Sequence, residues 1–280
     1  MVTGGSSGVG AATANALLEH GARVVVAARD ADKARRVLGA AAQVHRVDLA
    51  DLSSVRTFAA ELAGEDIDVL INNAGVMAVP YGTTVDGFET HFGTNFFGPF
   101  VLTSLLWPQL RDRVVMVSSV AHVAGREAEL ADPYFRTHKY DASRAYNATK
   151  LALLLFTYEL DRRRTAAGSP VRSVAAHPGL AQTDLLRAAV RTPTTRFSRF
   201  AVRRFGQSAA GGARSILHAA TEDLPGGTYV GPGGRFGWTG DPTVLKSSPT
   251  SRRADVAARL WELTERETGV TFPLAVASAG

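Results

Sequence analysis

Short apolar runs rich in valine and isoleucine alternate along this chain with longer alanine- and leucine-rich stretches whose apolar positions recur at helical spacing. The short runs predict strands at 23–28, 44–47, 69–71, 114–117 and 171–176. The stretches between and after them predict helices at 9–19, 31–38, 53–63, 86–107, 143–168 and 207–220, with a last amphipathic helix at 254–268. Gly21 is placed to stop the first helix, because a glycine just past the last turn accepts left-handed dihedrals. Strands that read as continuous apolar runs and alternate with helices imply a parallel sheet covered on both faces. The expected fold class is α/β, a doubly wound parallel sheet that binds ligands at the carboxyl ends of its strands.

No internal repeat or linker divides the chain, so residues 1–280 are expected to form a single domain. Within it, 224–280 reads as a C-terminal extension that begins with a glycine-rich loop over 224–240. Between 187 and 204, arginines alternate with phenylalanines, which fits a surface helix, a substrate lid over 184–210, or a segment lying on a membrane surface. Only Met1 and Val2 precede Thr3, and two residues fall short of a usual central strand. The first strand therefore reads as truncated, with further residues expected upstream.

Composition narrows the class without naming an activity. Hydrophobic residues make up 45% of the chain and charged residues 20%, as in an ordinary soluble globule with a substantial core. Cysteine is absent, which excludes disulfides, thiolate metal sites and cysteine nucleophiles and fits a cytoplasmic protein. The net charge of +5 rests on arginines spread along the sequence, with lysine only at 33, 139, 150 and 246, so no nucleic-acid partner is expected. A modest basic excess suits an anionic cofactor or substrate. No apolar run reaches the ~18 residues of a membrane span.

Three patterns carry chemistry. Thr3-Gly-Gly-Ser-Ser-Gly-Val-Gly10 leads into the first helix, where glycines let the backbone approach a pyrophosphate and the helix N-terminus offers free N–H groups. At the end of the strand over 23–28, Ala28 stands where an NAD site places a carboxylate, and Arg29 follows it. A guanidinium there can pair with a 2′-phosphate, which points to NADP(H). Tyr146 and Lys150 are four residues apart, about one helical turn, so phenol and ammonium share a face. A cation ~5 Å away at an effective dielectric of ~20 favours the phenolate by roughly 3 kcal/mol, about two pKa units, which brings the tyrosine toward the range for proton transfer.

With the glycine turn, Asn72-Asn-Ala-Gly75, Ser118-Ser119, Tyr146-x-x-x-Lys150 and Pro178-Gly179 in this order, the chain resembles the short-chain dehydrogenase/reductase family. Ala27-Ala-Arg-Asp30, Ser118-Ser-Val-Ala-His122 and Lys139-Tyr-Asp-Ala-Ser-Arg-Ala-Tyr146 make it most similar to the retinol-dehydrogenase-like branch. The resemblance implies a Rossmann-like domain with Tyr146 as acid–base, Lys150 lowering its pKa and holding the nicotinamide ribose, and Ser119 orienting the substrate oxygen. It implies Asn95 as part of a proton relay, and cofactor contacts from Gly4, Ser6, Ser7, Gly8 and Val9 of the glycine turn. Asp48 and Leu49 near the adenine, Asn73, Ala74 and Gly75 along the cleft, and Pro178, Gly179 and Thr183 at the nicotinamide end complete the set. Ser119 and Tyr146 are 27 positions apart, and the intervening 122–141 is expected to wall the substrate pocket. Tyr140, His122 and His177 are given no catalytic part, and no metal is expected. The partner implied is a small carbonyl or alcohol, with a homo-oligomer possible. A non-catalytic NADP(H)-binding redox sensor is the alternative reading.

Overall fold

Eight strands pair into one sheet in a computed structural model that describes residues 1–181 and 206–274. They are β1 (Val2–Thr3), β2 (Val25–Ala28), β3 (Gln43–Arg46), β4 (Ile67–Asn72), β5 (Leu110–Val117), β6 (Arg172–Ala176), β7 (Tyr229–Pro232) and β8 (Pro242–Val244). Their order across the sheet is β3-β2-β1-β4-β5-β6-β7-β8. All neighbours are parallel except β8, which turns back antiparallel on β7 with Val230 opposite Val244. The order reverses between β1 and β4, and that switch point opens the crevice in which such sheets bind ligands.

The helices are α1 (Gly8–Glu19), α2 (Ala31–Leu38), α3 (Leu52–Glu61), α4 (Thr90–Phe92), α5 (Gly98–Leu106), α6 (Glu127–Ala131), α7 (Ala142–Ala166), α8 (Ala209–Thr221) and α9 (Ala254–Thr268). Aliphatic side chains from both faces of the sheet meet two helical layers. One core holds Phe58, Phe96, Phe100, Leu151, Phe156 and Trp261, and the other holds Val26, Ile71, Val115, Val174 and Ile216. Caps fix several starts: the Asp30 carboxylate accepts the Lys33 N–H at 2.8 Å to begin α2, and Asp51 accepts those of Ser53 and Ser54 to begin α3. Gly21, at φ 80°, closes α1 as expected.

Two expectations change. The helix expected over 86–107 starts at Thr90 and contains a π-helical turn, Gly93–Phe97, whose extra residue per turn rotates the side chains that follow. The stretch 224–240, expected as loop, contains β7, hidden in the sequence by its Gly231 and Pro232. The first strand is short, as expected: β1 has two residues, and Val2 registers with both Val26 and Ile71 in the middle of the sheet. The arginine-rich 187–204 lies outside the described residues. Among those described, no helix is long and apolar enough to cross a membrane, and no group of three acidic or histidine side chains could hold a metal.

Candidate active site

At the switch point, the Thr3 hydroxyl accepts the backbone N–H groups of Asn73 and Ala74, each at 3.0 Å. The Asn73 amide returns a bond to the Thr3 carbonyl at 2.9 Å. One buried threonine thereby locks the turn after β1 to the turn after β4. Glycine is required on both sides of this joint. A Cβ on Gly4, at φ 74°, would fall 2.8 Å from the Ala74 Cα, and one on Gly10 would fall 2.4 Å from the Gly4 carbonyl oxygen. Ser7 stands at the head of α1 without a side-chain cap, and no acidic residue lies in the first turn. The free N–H groups and positive pole of α1 therefore face the cleft, a cradle suited to a phosphate.

That cleft has a volume of about 480 Å³ and runs along the carboxyl edge of the sheet. Gly4, Ser6, Ser7, Gly8 and Val9 form one wall, and Arg29, Asp48 and Leu49 lie toward one end. Asn73, Ala74, Gly75, Pro178 and Gly179 line the rest, with Ser119, Tyr146 and Lys150. Lys33, Val76, Met77, Thr94 and Leu180 also line it and were not singled out from the sequence. Lys33 could have been found, since it lies in the first turn of the helix that follows Arg29. The Asp30 carboxylate is engaged at the start of α2, so it does not fold back onto Arg29. Asp48 accepts the Ala50 N–H at 3.0 Å, and the cap of α3 is Asp51. Thr183 lies outside the described residues.

Tyr146 is half-buried on the face of α7 that lines the cleft, with the Lys150 ammonium 5.6 Å from its ring centre. The pairing expected from the spacing is present, but the net shift of the phenol is upward rather than downward. Burial pushes the Tyr146 hydroxyl up to about 12, and a hydrogen bond from Ser119 pulls the other way. Burial also brings Lys150 down to about 8. Its Nζ donates to the Val117 carbonyl at 2.9 Å, at the end of β5. For both groups the loss of water sets the direction of the shift. Ser118 and Ser119 divide their work. Both line the cleft, but the Ser118 hydroxyl is committed to the Lys150 carbonyl at 2.8 Å, which ties β5 to α7.

Asn95 does not line the cleft. Its side chain accepts the Val76 N–H at 2.7 Å and donates to the Val76 carbonyl at 2.9 Å and to Thr149 at 3.2 Å. Its side-chain amide holds the Gly75–Val76 turn against α7. Tyr140 is a packing residue, as expected: its hydroxyl donates to the Val79 carbonyl at 2.8 Å and its ring meets Tyr81 and Phe135 edge-on.

A doubly wound sheet with a glycine-lined switch point and a Ser–Tyr–Lys cluster over it defines a nucleotide-binding oxidoreductase fold. The chain belongs to the short-chain dehydrogenase family, whose model matches residues 1–194, and is retinol-dehydrogenase-like within it. It is 42% identical to human retinol dehydrogenase 13 over 201 residues, a match that covers 67% of this chain and spans 60% of that protein's length. Among solved structures it is similar to an uncharacterised protein from Mycobacterium paratuberculosis, with 47% identity, a TM-score of 0.83 and coverage of 97% of this chain and 93% of the other. A Burkholderia cenocepacia short-chain dehydrogenase solved with NADP shares the fold at 24% identity and a TM-score of 0.62, over 81% of this chain and 93% of that one.

Proposed function

We propose that this chain is an NADP(H)-dependent oxidoreductase that acts between an alcohol and the corresponding carbonyl, with Tyr146 handling the proton. The observation that carries this reading is the meeting of Ser119 and Tyr146 over an open cleft, with Lys150 one helical turn away. Bound nicotinamide supplies or accepts the hydride. The chain's own groups do the rest. The free N–H groups of α1 would hold phosphate, Arg29 would pair with the 2′-phosphate, and Lys150 would hold the ribose hydroxyls.

With its hydroxyl near 12, Tyr146 carries its proton at neutral pH and serves as the acid when a carbonyl oxygen gains negative charge. Ser119 holds that oxygen in place. A regulatory binder of the same cofactor would have no use for this donor pair, which favours an enzyme. The retinol dehydrogenase relatives support an aldehyde or primary alcohol on an apolar body as substrate.

The test is NADPH oxidation with retinal beside a panel of aldehydes, ketones, quinones and steroid-like carbonyls. Tyr146→Phe should lower kcat by about three orders of magnitude or more and leave the NADPH Kd within about two-fold. Turnover retained in that variant removes Tyr146 from the mechanism.

A further inference from the structure

His122 was given no catalytic part in the sequence. In the fold it is 3% exposed and sits three residues after Ser119, inside the tight turn (Val120–Ala124) that Ser119 caps. Its Nδ1 meets the Ser119 carbonyl at 2.7 Å, and its backbone N–H donates to the same oxygen at 3.1 Å. Its Nε2 accepts the backbone N–H of Ser248 at 3.1 Å. Both ring partners are main-chain groups of fixed polarity, so they select one form of the ring: proton on Nδ1, lone pair on Nε2.

The Ser119 hydroxyl in turn accepts the Ala121 N–H at 3.2 Å, which leaves its own hydrogen free for Tyr146 or a substrate oxygen. Residues 245–252 reach the site from the end of β8. Ser247 is within 2.7 Å of the Tyr158 hydroxyl on α7, the helix that also carries Tyr146 and Lys150. This segment is therefore a strap with one end on the catalytic helix and the other, through His122, on the Ser119 turn.

We propose that His122 is a positioning residue: held in its Nδ1–H form by the Ser248 strap, it fixes the turn that aims the Ser119 hydroxyl at Tyr146. The proposal rests on the Ser119–Tyr146 reading above. A second proton on Nε2 would set a donor against the Ser248 N–H and release the strap. Burial already disfavours that proton. The titratable and charged groups around the ring are His177 at the end of β6, Tyr229 on β7, and Tyr158 with Arg252 over it. Among the described residues none of these is an anion, and burial outweighs the Ser119 carbonyl, which favours the charged ring.

The test is a double-mutant cycle read with retinal and NADPH, together with amide exchange at Ser248. His122→Ala should lower kcat roughly 10- to 100-fold with the NADPH Kd unchanged. His122→Asn, which keeps a donor near the Nδ1 position, should recover most of that loss. In a Ser119→Ala background, His122→Ala should cost less than about two-fold, because the residue acts through Ser119. Ser248 should exchange slowly at neutral pH in the wild-type chain and in His122→Gln, but fast in His122→Ala. Full additivity in the cycle, or a parallel loss of NADPH binding, overturns the positioning role. Fast exchange at Ser248 in the wild-type chain overturns it whatever the turnover. A fully active Ser119→Ala, or a wild-type chain inert toward every carbonyl with Ser248 still protected, instead sinks the reading of the site on which it rests.

Discussion

Lys150 is 5% exposed, and among the described residues the one hydrogen bond its ammonium makes is to a neutral carbonyl, so the fold holds a cation where it would be more comfortable without one. Its ammonium is lowered from 10.5 to about 8, a penalty of roughly 3 kcal/mol wherever the lysine is charged in both folded and unfolded chains, that is, below pH 8. Between pH 8 and 10.5 the penalty fades, because the folded lysine has lost its proton and the unfolded one has not. Lys150→Met should therefore raise stability by about 1–3 kcal/mol at pH 7, with the gain shrinking above pH 8, while abolishing turnover. Urea titration at the two pH values checks this, and a destabilised variant would show that the Val117 bond outweighs the buried charge. At the other end of the cleft, Arg29→Ala should weaken NADPH by about ten-fold or more and NADH little, since only the former carries the 2′-phosphate. Equal losses measured by fluorescence titration would refute the phosphate contact.

Among the elements, the joint between β1 and β4 hangs on the Thr3 hydroxyl, which accepts two N–H groups at once. Thr3→Val keeps the shape and leaves both donors without that acceptor, so it should cost about 2–4 kcal/mol and weaken cofactor binding with it. A change under 1 kcal/mol in chemical denaturation would mean that the turns hold without it. Nothing in the sequence marks Thr3 for this work, because the partners lie 70 residues on and meet it only through sheet order. What was legible there is what is local: the glycine turn before a helix, the one-turn spacing of Tyr146 and Lys150, and the apolar runs of β2, β4, β5 and β6. What was not legible depends on non-local geometry. The π-turn commits Asn95 to Val76, burial reverses the expected shift of Tyr146, and His122 gains its role from a segment 126 residues away.

Over the whole molecule, acid should act in two stages. Burial, with His122 nearby, brings His177 down to about 4, and its Nδ1 accepts the Gly179 N–H at 3.2 Å. A depressed histidine gives its full stabilisation above 6.5 and loses it as pH falls from there through 4, a loss of roughly 3 kcal/mol. The second stage is carboxylate. Burial of Asp132 is outweighed by hydrogen bonds from Thr137, Arg136 and His138, which bring it to about 2, so that contribution disappears as pH falls from 3.8 toward 2. Melting temperature followed against pH should fall in these two steps, and His177→Asn, which keeps an acceptor for Gly179, should flatten the first. A single transition below pH 4 in the wild-type chain would rule out the histidine stage.

The switch-point crevice also divides the sheet into two wings, β3-β2-β1 and β4 through β8, whose turns meet at Thr3 and Asn73. A ligand lodged across that seam acts as a clasp between the wings, so occupancy and folding are thermodynamically linked. Each ten-fold excess of ligand over its Kd adds about 1.4 kcal/mol to the unfolding free energy. The amount of intact protein would then track the supply of its nucleotide, and a shortage would appear first as fraying at the seam rather than as idle enzyme.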